Sequence, residues 1–359
     1  MTEPMQPQTP VEVLDAFAPA AALGERICPF PREGDLRSRL EAARYLMAPM
    51  AGVTDAAYRL MARRAGAGLA YTEMVSVAGI HYGGETGGQK TWELVLPHDP
   101  EPDIAVQLFG SKPEQFREAA SRVQERLQGR LALIDINMAC PVRKVISKGE
   151  GSALMEDPDK AAEIVRAARR GAGEAVDVTV KIRRGRTTGT ELAPEFAQAM
   201  EAAGAAAVAV HGRYASEFYR GTSDFGCVER VADAVTIPVI ASGDMLDAVR
   251  IAEVIGSGRV AAVMVARGSY GNPWIFEDAK RMMSGEDLPV HGAAAKLDAL
   301  EEHLRFLVAT EAHIARARSL VGWYVRGVPG ASALRNTAMT CTSLDDYLDL
   351  IETARTRLP

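Results

Sequence analysis

The stretch Leu131-Ala132-Leu133-Ile134-Asp135-Ile136-Asn137-Met138-Ala139-Cys140-Pro141 decides how the chain is read. Leu131 to Ile136 form an apolar run of strand length, and Pro141 closes it. Cys140 therefore falls where a buried strand gives out, with Arg143, Lys144 and Lys148 just beyond, so a thiol faces a polar, basic mouth. In a barrel of parallel strands chemistry is done at the carboxyl ends of the strands. A lone cysteine beside a strand is more often a small core filler. The proline and the cations that follow favour a functional thiol.

Outward from this stretch, short apolar runs alternate with segments of helical period. The runs are Tyr45–Pro49, Leu69–Thr72, Ile104–Leu108, Leu133–Ile136, Val178–Ile182, Ala206–Val210, Val239–Ala241 and Ala261–Val265. Amphipathic stretches lie between them, such as Pro113–Leu127, Pro158–Arg169, Glu191–Ala203 and Leu246–Ile255, with start signals at Thr54, Ser111 and Asp157. Eight alternations predict a (β/α)8 barrel in the α/β class, with an open doubly wound sheet as the alternative. From about Gly285 the strands stop, and Ala293–Val308, Ala312–Tyr324 and Ser343–Ala354 read as helices. The expected organisation is an N-terminal extension over residues 1–40, a barrel over 41–285 and a helical unit over 286–359. That unit carries Arg316, Arg318, Arg326, Trp323 and Tyr324, a mix that suits RNA, although a solvated helix face explains it equally well.

A chain of 359 residues with 47% hydrophobic content is long enough for one barrel and a smaller unit. It has no uncharged apolar run long enough for a membrane span. Acids and scattered prolines stand at the start, where a signal peptide would have a basic end and an apolar block, so a cytoplasmic protein is expected. The four cysteines lie far apart without a C-x-x-C pair, which predicts neither disulfides nor a metal site. A net charge of −6 leaves a nucleic-acid partner open, because local patches matter more than the sum.

The strand ends carry Pro49-Met50-Ala51, Glu73, Gln107, Asn137 with Cys140, Lys181 with Arg183, His211, Ser242-Gly243-Asp244 and Ala266-Arg267. A ring of such groups reads as a site. The two late glycine turns offer backbone N–H groups to a phosphate, in the part of a barrel where phosphates bind. Lys181 can balance negative charge, Gln107 and Asn137 can hydrogen-bond a planar heterocycle, and Met50 can lie on its face. Together these point to FMN. A phosphosugar enzyme with similar glycines would want paired carboxylates, and Glu73 is the one obvious acid.

In these residues the chain resembles the tRNA-dihydrouridine synthases, of the bacterial B-like type. The resemblance rests on Ala48-Pro-Met-Ala-Gly-Val-Thr-Asp55, Thr72-Glu-Met74, Val106-Gln-Leu-Phe-Gly110, Asp135-Ile-Asn-Met-Ala-Cys-Pro141, Gly151-Ser-Ala-Leu154, Lys181-Ile-Arg183, His211-Gly-Arg213, Ser242-Gly-Asp244 and Gly271-Asn-Pro-Trp-Ile-Phe276. It implies a flavin enzyme that reduces the C5–C6 double bond of uridine in tRNA, with NADPH as reductant. Pro49, Met50, Ala51, Gln107, Lys181, His211, Ser242, Gly243, Asp244, Ala266 and Arg267 match the family's FMN contacts, and Cys140 its proton donor. Asn137 is expected to orient the uracil edge. Arg143, Lys144, Lys148, Arg183, Arg213, Arg316, Arg318 and Tyr324 are the expected RNA contacts, and a monomer is favoured. The family usually has Gly at Ala139, Asn at Ser242 and Gly at Ala266, and of its Arg-Lys-His run before the Trp-Tyr pair only Arg318 is kept. The alternatives are a synthase acting on ribosomal RNA, an FMN barrel that reduces a small pyrimidine or enone, and a catalytically weakened RNA-binding protein.

Overall fold

The computed structural model describes residues 27–83 and 89–358. Nine parallel strands form one sheet: β1 Tyr45–Met47, β2 Leu69–Ala70, β3 Val75–Ser76, β4 Ile104–Phe109, β5 Leu131–Met138, β6 Val178–Gly185, β7 Val208–Tyr214, β8 Val239–Ser242 and β9 Ala262–Val265. The sheet runs β2-β1-β9-β8-β7-β6-β5-β4-β3, and a bridge between Tyr71 and Ala105 joins its two ends. β2 and β3 are two pieces of one barrel position. The chain breaks between them because the Thr72 hydroxyl donates to Glu73 O and accepts the N–H of Gln107, taking over part of the ladder. The expected eight-stranded barrel is present, with its second strand divided.

Strands in such a barrel are buried on both faces, which is why they read as continuous apolar runs. Ile134 and Ile136 of β5, Val178, Val180 and Ile182 of β6, and Val208 and Val210 of β7 pack outward against the helices. Alternate residues point inward. Near the floor they are apolar, as with Leu46, Leu69, Leu133, Ile240 and Met264. Toward the mouth the same inward positions become Gln107, Asp135, Asn137, Lys181, Arg183 and His211. β5, β6 and β7 run past the ends expected from sequence, so Asn137, Arg183, His211 and Arg213 sit on rigid strands and not in loops.

Of the extension read over residues 1–40, positions 1–26 lie outside the described residues. The remainder belongs to the barrel, because helix Leu36–Ala43 crosses the expected boundary and Phe30, Leu36 and Leu40 plug the floor. Each such side chain contributes about 1.5–3 kcal/mol of burial. Asp103 accepts the N–H of Phe30 at 2.8 Å and pairs with Arg63 at 3.0 Å.

Of the three expected helix starts, two differ and one agrees. Asp55, not Thr54, caps helix Ala56–Arg64 by accepting the N–H of Tyr58, while Thr54 bonds back to Met50. Lys112 and not Ser111 precedes helix Pro113–Leu127, where Pro113 opens the first turn. Asp157 caps helix Pro158–Ala172 as expected.

The helical unit has four helices: Ala293–Ala309, Ala317–Tyr324, Ala331–Ala338 and Leu344–Arg355. The third had no apolar period long enough to show in the sequence. The expected helix from Ala312 starts later, after a short turn capped by His313. The unit packs on helix Ala56–Arg64: Arg64 pairs with Glu302 at 2.7 Å, and Tyr58 meets His303 edge to face. Tyr270 stacks on Trp323 at 4.1 Å, and a Cβ on Gly271 would stand 2.5 Å from the Trp323 backbone, so only glycine permits that approach.

Candidate active site

The inward residues at the strand ends converge on one cavity of about 350 Å³. Pro49, Met50 and Ala51 after β1, Gln107 of β4, Asn137 of β5 and Cys140 beyond it form one side. Lys181 of β6, His211 of β7, Ser242, Gly243 and Asp244 at the end of β8, and Ala266 and Arg267 after β9 form the other. Every residue expected to bind cofactor or act in catalysis lies on this wall. Met74, which follows Glu73 at the second strand's end, also lines it, as do Phe218, Tyr219 and Tyr270, which were not read from the sequence. Neither Ala139 nor Ala266 has a positive φ, so neither position needs glycine for a left-handed backbone.

Asn137 holds the cysteine turn. Its Oδ1 accepts the N–H groups of Ala139 at 3.1 Å and Cys140 at 2.9 Å, and its Nδ2 donates to Gln107 Oε1 at 2.8 Å. The amide expected to read a substrate edge is therefore committed to the loop that presents the thiol. Burial pushes the Cys140 thiol above its ordinary range, and this outweighs the backbone hydrogen bond and the nearby Arg183 and Lys181 that pull it down. The thiol keeps its proton at neutral pH.

The wall that continues from β6 is positive. Lys181 is buried, and among the described residues no hydrogen bond or ion pair reaches its ammonium. Desolvation, reinforced by Arg183, lowers its pKa to about 8. The same burial and the cations Lys181, Arg183, Arg213 and Arg267 hold His211 well below its usual value, so the imidazole is neutral. Asp244 is the one carboxylate on the wall, and Arg213 holds it through two bonds of 2.7 and 2.8 Å while Arg267 reaches it at 3.2 Å. Gly243 adopts φ +101°, and a Cβ there would stand 2.6 Å from the His211 ring. The N–H groups of Gly243 and Asp244 find no protein acceptor among the described residues, which leaves them for an anion. They lie in a turn and not at a helix start, because the next helix begins at Ala248 with Asp247 as its cap.

The expected RNA contacts divide into two groups. Arg143, Lys144 and Lys148 are exposed beside Cys140, and their side chains make no ion pair among the described residues. Arg183 is buried and donates to the carbonyls of Ala139, Tyr214 and Phe218, so it braces the mouth. Arg213 is likewise buried on Asp244. Tyr324 is 2% exposed with its hydroxyl 3.1 Å from His303 Nδ1, which removes it from any RNA-facing surface. Arg316 turns inward to Asp55 at 3.0 Å and Glu73 at 3.2 Å, and Glu73 in turn accepts the Gly52 N–H. Arg318 is exposed on the side facing Tyr347 and Cys341.

Residues 46–358 match the model of the family described as Dihydrouridine synthase (Dus). The chain belongs to the dihydrouridine synthase family. The tRNA-dihydrouridine synthase B of Xanthomonas campestris pv. campestris is 38% identical over 299 residues, 82% of this chain and 87% of that protein. A probable tRNA-dihydrouridine synthase of Rickettsia bellii is 35% identical over 81% of this chain and 88% of its own length. Among solved structures, histamine dehydrogenase from Rhizobium sp. 4-9 aligns with 80% of this chain and 51% of its own, at 13% identity and a TM-score of 0.50, a likeness of fold alone. As a member of the dihydrouridine synthases the chain is an oxidoreductase, and the cavity that gathers Cys140 and Lys181 is its candidate active site. No group of metal-ligating side chains occurs among the described residues, and none of their helices is long and apolar enough to cross a membrane.

Proposed function

We propose that the enzyme reduces the C5–C6 double bond of uridine in tRNA to dihydrouridine, with FMN as cofactor and NADPH as reductant. The observation that carries this reading is the presence, in one cavity, of a protonated Cys140 with a buried Lys181 that no ion pair holds among the described residues. The residues fit FMN. A buried ammonium without a protein partner suits a ring that becomes anionic when reduced, and the free N–H groups of Gly243 and Asp244, with Arg267 beside them, suit a phosphate. Bound FMN supplies the hydride that uridine C6 receives.

Cys140 then gives its proton to C5, so uridine gains one hydride and one proton and the sulfur is left as thiolate. Arg183 and Lys181 are too weak to ionise the resting thiol, yet they favour the thiolate that forms, until solvent returns a proton. Gln107 and Asn137 keep the sulfur in place. The target base must leave its stack at a cost of roughly a few kcal/mol, which phosphate contacts offset. Arg143, Lys144 and Lys148 stand beside the mouth for that purpose, and relatives named for tRNA support tRNA as the polymer.

The test supplies purified protein with NADPH and, in separate reactions, an unmodified tRNA transcript, a ribosomal RNA fragment and free uridine, and counts dihydrouridine by mass spectrometry. The expected outcome is a flavin absorbance band and product in the tRNA alone. Product from free uridine at an equal rate would replace this reading with a small-pyrimidine reductase.

A further inference from the structure

Asp135 lies inside the barrel beneath the cavity, 0% exposed, in register with Gln107 on β4 and Thr179 on β6. It does not line the cavity and has no part in the chemistry proposed above. Its Oδ1 accepts the Thr179 hydroxyl at 2.7 Å and its Oδ2 accepts Gln107 Nε2 at 2.7 Å. An ionised carboxylate accepts and never donates. Gln107 must therefore turn its NH2 toward Asp135, which leaves Oε1 to accept from Asn137 Nδ2 at 2.8 Å. Asn137 is then obliged to turn its oxygen toward the N–H groups of Ala139 and Cys140. Were this chain reversed, Asn137 would point NH2 at two N–H donors and the cysteine turn would lose both bonds.

We infer that Asp135 is a positioning residue for the Cys140 thiol: its carboxylate sets the direction of the hydrogen-bonded chain through Gln107 and Asn137 that holds the turn presenting the sulfur. The need to hold the sulfur rests on the reading of Cys140 as proton donor, whereas the chain itself does not. Burial pushes the Asp135 carboxyl up to about 6, so the acceptor-only end of the chain is in place above that pH. Lys181 and the Tyr71 hydroxyl face Asp135, and Lys181 and Arg183 face the sulfur.

The experiment alkylates the full-length protein with iodoacetamide, FMN present in excess, and follows the Cys140 peptide by mass spectrometry from pH 6.5 upward, a range chosen from the roughly 6.5–9 span of neutral-range groups. Asp135→Leu removes the acceptor, and Asp135→Asn keeps one oxygen for Gln107. Asp135→Leu is expected to speed Cys140 alkylation about tenfold, the scale of one or two lost hydrogen bonds, with the pH profile moved toward that of a free thiol. Asp135→Asn is expected to stay within about twofold of the parent, since the chain keeps its direction. Gln107→Met cuts the same chain at its middle and decides the matter if Asp135→Leu does not fold. Parent-like alkylation in Asp135→Leu or Gln107→Met overturns the inference, as does an Asp135→Asn profile as fast as that of Asp135→Leu. Altered alkylation with undiminished dihydrouridine formation would instead uphold the chain and reject Cys140 as proton donor.

Discussion

At the floor of the barrel Arg63 meets Asp103 at 3.0 Å with both side chains fully buried, whereas at the mouth Lys181 is buried and, among the described residues, no carboxylate pairs directly with its ammonium, Asp135 acting on it only through space. Arg59 resembles Arg63, held by Glu101 through two bonds of 2.9 Å. Arg183 at the mouth resembles Lys181 in having no acid paired with it among the described residues, and carbonyl oxygens receive its guanidinium N–H groups. Burying a charge costs several kcal/mol unless a partner compensates. The floor meets that cost internally. The mouth meets it only in part, through the distant Asp135, which is the signature of a surface completed by something anionic.

Four changes would break or sharpen this contrast. The largest effect is expected at the floor, where Asp103→Ala strands the Arg63 charge and should cost about 3–5 kcal/mol in denaturant unfolding. Dihydrouridine formation per folded molecule should stay the same, and a loss of activity exceeding the loss of folded protein would erase the distinction between the ends. At the mouth, Lys181→Met deletes a charge that no direct ion pair holds, so the thermal midpoint should fall far less than in Asp103→Ala while uridine reduction falls about 10²-fold, the scale of a lost electrostatic contact. A large fall in midpoint would place Lys181 among the structural charges.

A smaller effect is expected in the pH profile. Lys181 loses its proton near pH 8, with the cation present below that value, so activity should decline as pH rises through about 8. Lys181→Arg keeps the charge and should carry the plateau to higher pH. A decline at the same pH in both proteins assigns it to another group. The smallest effect belongs to the exposed patch. Lys144→Ala should lower the salt slope of tRNA binding by about one ion and leave flavin content alone, and an unchanged slope takes this patch off the RNA path.

The floor and the strands were legible in the sequence because outward-facing residues such as Ile134, Ile136, Val178 and Val180 join the inward ones into unbroken apolar runs. That same blending hid Asp135, whose charge sits between two isoleucines on the opposite face. Read with a period of two, Leu133, Asp135 and Asn137 share the inward side, and a carboxylate in that row is the signal that was there to find. The expected strand-end residues share one cavity because strand ends are fixed by topology, whereas Phe218, Tyr219 and Tyr270 reach it from segments beyond the strands and gave no such signal. The partners of individual cations were not legible either, since they depend on contacts 31 residues apart for Arg213 with Asp244 and 243 apart for Arg316 with Glu73. Arg316 and Tyr324 have the composition of an RNA-facing helix, yet Arg316 is spent on Asp55 and Glu73 of the barrel and Tyr324 on His303 inside the helical unit. Reversing the charge of Arg316 would set three acids together at this seam, so RNA docking is better tested at Arg143, Lys144 and Lys148.

The central claim, that the Cys140 thiol protonates uridine in the cavity it shares with Lys181, is tested most directly by dihydrouridine formation in Cys140→Ala at matched flavin content. The account predicts that the flavin is retained and still reduced by NADPH while product formation drops at least ~10²-fold, the scale of general acid catalysis. Product formed at the parent rate would contradict it.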